Sequence, residues 1–115
     1  MPLALEPEQI ASYHADGWLS PLDLLSADQV AAARANLEAF EANHGPLSGR
    51  AERSRAYLPF SWVDEIMRHP TLVDMVEDLI GPDILCWNAI FWIKEPGAES
   101  FVGWHQDKDY WGPKA

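Results

Sequence analysis

Close to the end of this 115-residue chain, His105 and Asp107 stand two positions apart in Trp104-His105-Gln106-Asp107-Lys108-Asp109-Tyr110-Trp111. On an extended backbone, side chains two apart leave the same face, so an imidazole and a carboxylate can converge on one metal ion. Two histidines and one carboxylate hold Fe(II) from one side and leave positions open for a cosubstrate and oxygen. His105 and Asp107 are read as two of those three ligands, and no histidine follows Asp107. A second His-x-Asp, His14-Ala15-Asp16, supplies an internal contrast. It lies in residues 6–17, which carry acidic residues at the start and Gly17 as a stop, as a helix does; on a helix, residues two apart point roughly opposite ways.

Positioning His105 and Asp107 falls to the segment before them. Residues 84–93 are β-branched and aromatic, apolar on both sides, and bounded by Gly-Pro and Pro-Gly, which predicts a strand buried between two layers. Period two puts Ile84, Cys86, Asn88, Ile90, Trp92 and Lys94 on one face and Leu85, Trp87, Ala89, Phe91 and Ile93 on the other. After a turn at Pro96-Gly97, a second strand is predicted with Phe101, Gly103, His105, Asp107 and Asp109 on one face. If both polar faces point inward, Asn88, Lys94, His105 and Asp107 line one cavity. Trp87, Trp92, Trp104 and Trp111 suit its dry wall, although a plain aromatic core explains them as well.

Upstream, the pattern is helical. Ser26 and Gln29 form a capping box opening a helix to about Asn43, with Val30, Ala33, Leu37 and Phe40 at core spacing. Residues 47–56, with Arg50, Arg53 and Arg55, read as a mobile, solvated loop able to favour an anionic group. Two short helices, 59–68 and 71–80, are split at His69-Pro70.

Trp104-His105-Gln106-Asp107 with Tyr110-Trp111, the preceding stretch 88–97, and the opening 9–19 and 23–30 together resemble the phytanoyl-CoA dioxygenase-like family. That resemblance implies a mononuclear Fe(II), 2-oxoglutarate-dependent dioxygenase that hydroxylates a small molecule while releasing succinate and carbon dioxide. It also implies an α+β fold: amino-terminal helices, here 1–82, followed in 83–115 by the first strands of a double-stranded β-helix (jelly roll). His105 and Asp107 take the metal-ligand positions. Lys94 and Asn88 are candidates to bind the cosubstrate, and Asp107, where related halogenases have a small residue, implies hydroxylation. The family's second histidine and its 2-oxoglutarate-binding arginine come from later strands. The chain is therefore expected to be a single partial domain, the amino-terminal part of an oxygenase, inactive alone.

Composition sets outer bounds. A net charge of -10 argues against nucleic acid and anionic membranes as partners. With neither an apolar run of membrane-spanning length nor a signal-peptide pattern, the expected location is cytoplasmic. The lone Cys86 is expected to be a small buried hydrophobe. Two rival readings are a non-catalytic jelly-roll-like binding module and a cupin-type metal enzyme that does not use 2-oxoglutarate.

Overall fold

The computed structural model describes residues 1–107, and its regular structure is helical. Helix α1 spans Pro7–Asp16, opened by a reciprocal Glu6–Gln9 capping box and closed by Gly17 at φ 81°. The left-handed turn at that position favours glycine, which has no Cβ to clash. Helix α2 spans Ala27–His44, and its predicted capping box is present: Gln29 N–H donates to Ser26 Oγ at 3.3 Å and Ser26 N–H to Gln29 Oε1 at 2.8 Å. Helices α3 (Ser61–Met67) and α4 (Pro70–Ile80) meet at His69, with Pro70 starting α4, where a missing N–H costs nothing.

α1 packs on α4 and α2 on α3. A single carboxylate reinforces the first contact. Asp78 on α4 accepts the successive backbone N–H groups of Leu3, Ala4 and Leu5 at 2.7, 2.8 and 2.8 Å, and Leu5 beside it is buried.

The main core lies where sequence patterning did not put it. Leu47 and Ala56, at the two ends of the arginine-rich stretch, are its most buried members, joined by Phe60 and Val63. Residues 47–56 are not a solvated loop. Two 3-10 turns, Leu47–Gly49 and Ala51–Arg53, fold the stretch back on α2. Glu41 accepts the Leu47 N–H, and Arg50 donates to the His44 carbonyl while lying over the Phe40 ring. Leu37 and Phe40 of α2 pack on this core, but Val30, predicted on the same face, is exposed.

The predicted double-stranded β-helix is overturned: among the described residues there is no strand, and hence no jelly roll, and the fold is helical. Residues 84–93 run without regular structure, touching residues 53–56 through one antiparallel bridge, Ser54 to Ile90. Around it, Phe91 N–H donates to the Arg53 carbonyl at 2.9 Å and Ala56 N–H to the Ala89 carbonyl at 3.0 Å. Arg55, at φ 52°, then turns the chain away. A strand is stabilised by a partner ladder, and here the partner departs after one pair, whatever the β-propensity of 84–93. Alternation of the side chains persists only over 89–93, where Ala89, Phe91 and Ile93 pack against the core and Ile90 and Trp92 face outward, whereas Leu85 and Trp87 are exposed. Residues 101–106 likewise form no strand, and Lys108 and Asp109, the end of that predicted strand, lie outside the described residues.

Candidate functional site

His105 and Asp107 do meet, and they do so without a strand. Asp107 sits in a turn, and its Oδ1 lies 3.0 Å from His105 Nε2. The other ring nitrogen, Nδ1, is 2.8 Å from the carbonyl of Gly103. A backbone carbonyl only accepts, so Nδ1 carries the proton and Nε2 is the nitrogen left to ligate a metal. In the metal-free protein a protonated ring donates at both ends. The Gly103 carbonyl first, opposed by desolvation and then aided by the charge and hydrogen bond of Asp107, holds the His105 pKa above its ordinary 6.5.

The donor spacing fits a metal. Two donors bound cis at about 2.1 Å from one ion lie about 3.0 Å apart in an octahedron and about 3.4 Å apart in a tetrahedron. The observed 3.0 Å is the length of an ordinary N–H···O bond and also lies within reach of two donors on one ion. The side chains are 43% and 80% exposed, open enough for an ion to enter. Among the described residues no group of three or more His, Cys, Asp or Glu side chains is placed to hold a metal, so His105 and Asp107 stand as a pair. The contrasting His14-Ala15-Asp16 lies on α1, where His14 packs edge-on against Tyr13 and Asp16 accepts from Ser12 Oγ.

The pair borders an open groove of about 560 Å³, lined also by Ser54, Trp87, Asn88 and Trp92. Ser54, Trp87 and Asn88 also line an adjoining cavity of about 410 Å³, together with Ala51 and Arg55. Asn88 lines the same groove as His105 and Asp107, and so does its neighbour Trp87 from the opposite predicted face. Lys94 is exposed and lines neither cavity. The indoles of Trp87, Trp92 and Trp104 are 67%, 70% and 106% exposed, which makes the groove open rather than dry-walled. Trp111 and Tyr110 lie outside the described residues. Cys86 is exposed, not buried, with Sγ 3.7 Å from the Asn88 carbonyl.

Arg55 is the residue whose place the linear pattern does not separate from its neighbours. Arg34, Arg50 and Arg68 pair with Glu38, Glu52 and Asp64, and Arg53 lies over the Trp92 ring at 5.0 Å. No hydrogen bond or ion pair holds the Arg55 guanidinium among the described residues, and its backbone occupies the left-handed region at φ 52°. For a side-chain-bearing residue that conformation costs roughly 1 to 2 kcal/mol. The Arg55 N–H is held by Asn88 Oδ1 at 3.0 Å, and Asn88 Nδ2 reaches Ser54 Oγ at 3.4 Å.

Compared with protein families, with curated proteins and with solved structures, the chain gives no match in any of the three. No helix among the described residues is long and apolar enough to cross a membrane.

Proposed function

We propose that His105 and Asp107 are two adjacent ligands of an Fe(II) centre in a 2-oxoglutarate-dependent dioxygenase that hydroxylates a small molecule. The observation that carries this is the 3.0 Å separation of Nε2 and Oδ1, with Nδ1 fixed by the Gly103 carbonyl. The donor geometry supports a metal-binding pair, and the choice of Fe(II) with 2-oxoglutarate comes from the resemblance of the sequence. The third protein ligand comes from outside the described residues.

When bound, Fe(II) with 2-oxoglutarate supplies the oxidising power for an unactivated C–H bond, with succinate and carbon dioxide as co-products. The chain's own residues do simpler work. His105 gives up its Nε2 proton on ligation and keeps its ring plane through Nδ1. Asp107 brings a negative charge that lowers the cost of placing a dication in the groove. Arg55, with no carboxylate partner of its own, attracts a carboxylate of the cosubstrate or substrate in the adjoining cavity. Asn88 stands at the groove wall, and Lys94, which lines neither cavity, carries no contact in this proposal.

An anaerobic titration of the purified chain with Fe(II) and 2-oxoglutarate tests this. The expected result is a visible charge-transfer band that is lost in His105→Ala. A chain that binds Fe(II) with equal affinity in wild type and His105→Ala sinks the assignment. Metal binding with no response to 2-oxoglutarate favours the cupin-type alternative.

A further inference from the structure

Asn88 looks, from its place in the groove, like a ligand contact, but both ends of its amide are already committed to the chain. Its Oδ1 accepts the Arg55 N–H at 3.0 Å and its Nδ2 donates to Ser54 Oγ at 3.4 Å, across more than thirty residues of sequence. The reason for this clasp lies in the failed ladder. A regular antiparallel pair would send the Arg55 N–H to the Ala89 carbonyl. That carbonyl is instead taken by the next residue, Ala56, at 3.0 Å. Arg55 sits beside that single bridge in the left-handed conformation at φ 52°, and its N–H donates to Asn88 Oδ1. An arginine prefers the right-handed or extended basins. Removing the acceptor frees the turn to relax, and Arg55, which lines the cavity beside Asn88, shifts with it.

We propose that Asn88 is a positioning residue: its amide holds the Arg55 turn, and through it the cation that receives the carboxylate of the bound ligand. The proposal rests on the reading of Arg55 as that anchor. It assigns the recognition of the anion to Arg55, and to Asn88 only through Arg55. An asparagine serves where an aspartate would oppose the ligand, because its oxygen accepts the N–H without adding a negative charge beside the anion.

Two measurements on the full chain test this. The first is backbone amide exchange without any ligand. Asn88→Ala is expected to speed exchange at Arg55 by about tenfold or more while leaving Phe60 in the core unchanged, and Asn88→Asp, which keeps the acceptor, is expected to restore protection. The second is calorimetric titration with 2-oxoglutarate in the presence of Co(II). Arg55→Ala and Asn88→Ala are each expected to weaken binding by about tenfold. The double variant is expected to be no weaker than Arg55→Ala alone, because coupled residues are not additive.

Unchanged exchange at Arg55 in Asn88→Ala overturns the clasp. Additive losses in the double variant overturn the indirect role and make Asn88 a direct contact. If Asn88→Ala fails to fold, Asn88→Asp carries the exchange test, and loss of Arg55 protection there overturns the clasp. A probe affinity unaffected by Arg55→Ala overturns the anchor reading and the functional role of Asn88 with it. The exchange result then still says whether the turn is held.

Discussion

At the scale of single residues, the chemistry turns on which proton sits where. His105 has a raised pKa because the Gly103 carbonyl, and after it Asp107, favours the charged ring. The contacts of the charged ring are fully present below the ordinary value of 6.5 and are lost as pH rises through the higher folded value. Metal binding runs the other way, since ligation needs the Nε2 lone pair. Metal affinity is therefore expected to fall as pH drops through the raised His105 value, beginning above the pH at which an ordinary histidine would compete. Titration calorimetry with Co(II) across pH 5 to 8 checks this, with proton release per metal as a second readout. Asp107→Ala is expected to bring the midpoint down, leaving only the Gly103 contribution. Asp107→Gly removes the second donor and should weaken metal more than tenfold.

At the scale of elements, local signals decide the helices and distant ones decide everything else. Ser26 caps α2 with a hydroxyl that no alanine can supply, and Ser26→Ala is expected to cost about 1 kcal/mol in chemical denaturation. The amino-terminal arm depends on a residue more than seventy positions away. Desolvation opposes the charge of Asp78, but the N–H groups of Ala4, Leu3 and Leu5 outweigh it and lower its pKa. That contribution is present above the ordinary value of 3.8 and is lost as pH falls through the lower folded value. Asp78→Asn is expected to release the arm at neutral pH, seen as faster exchange at Leu3, Ala4 and Leu5 while the α2 amides stay protected. Residues 84–93 show the opposite dependence: β-branched and aromatic side chains do not make a strand when the facing segment turns off at Arg55.

At the scale of the whole molecule, little is fully buried. The chain exposes 9353 Å², against roughly 6,300 Å² for a compact folded chain of its mass. Among the described residues, Leu5, Leu47, Ala56, Phe60 and Val63 are the buried hydrophobics. Phe60 joins the halves of this core, edge-on to Phe40 at 4.9 Å and to Phe91 at 6.5 Å. Phe60→Ala is expected to cost about 3 to 5 kcal/mol, comparable with the total stability of a small domain, and so to unfold the isolated chain in circular dichroism. The exposed row of Leu85, Trp87, Trp92, Phe101 and Trp104 is expected to bind a hydrophobic dye in the native state, and loss of that signal in Trp87→Ser, Trp92→Ser would locate it.

What could be read from the linear chain follows the range of the interactions. The caps at Ser26 and Gly17, and the Pro70 start of α4, act within a turn or two of their own residue, so the helices were legible almost to the residue. Period two in 84–93 holds only over 89–93, where Ala89, Phe91 and Ile93 turn to the core, while Leu85 and Trp87 of the same predicted face are exposed. Whether that row became a strand was not legible, because a ladder needs a partner and the partner lies more than thirty residues upstream. Leu47 and Ala56 flank arginines and give no apolar period, so only the folding of two 3-10 turns onto α2 makes them core. The His105–Asp107 pair needed only two residues of spacing. The cation of the adjoining cavity, Arg55, was set apart from Arg50 and Arg53 by tertiary contacts that engage those two.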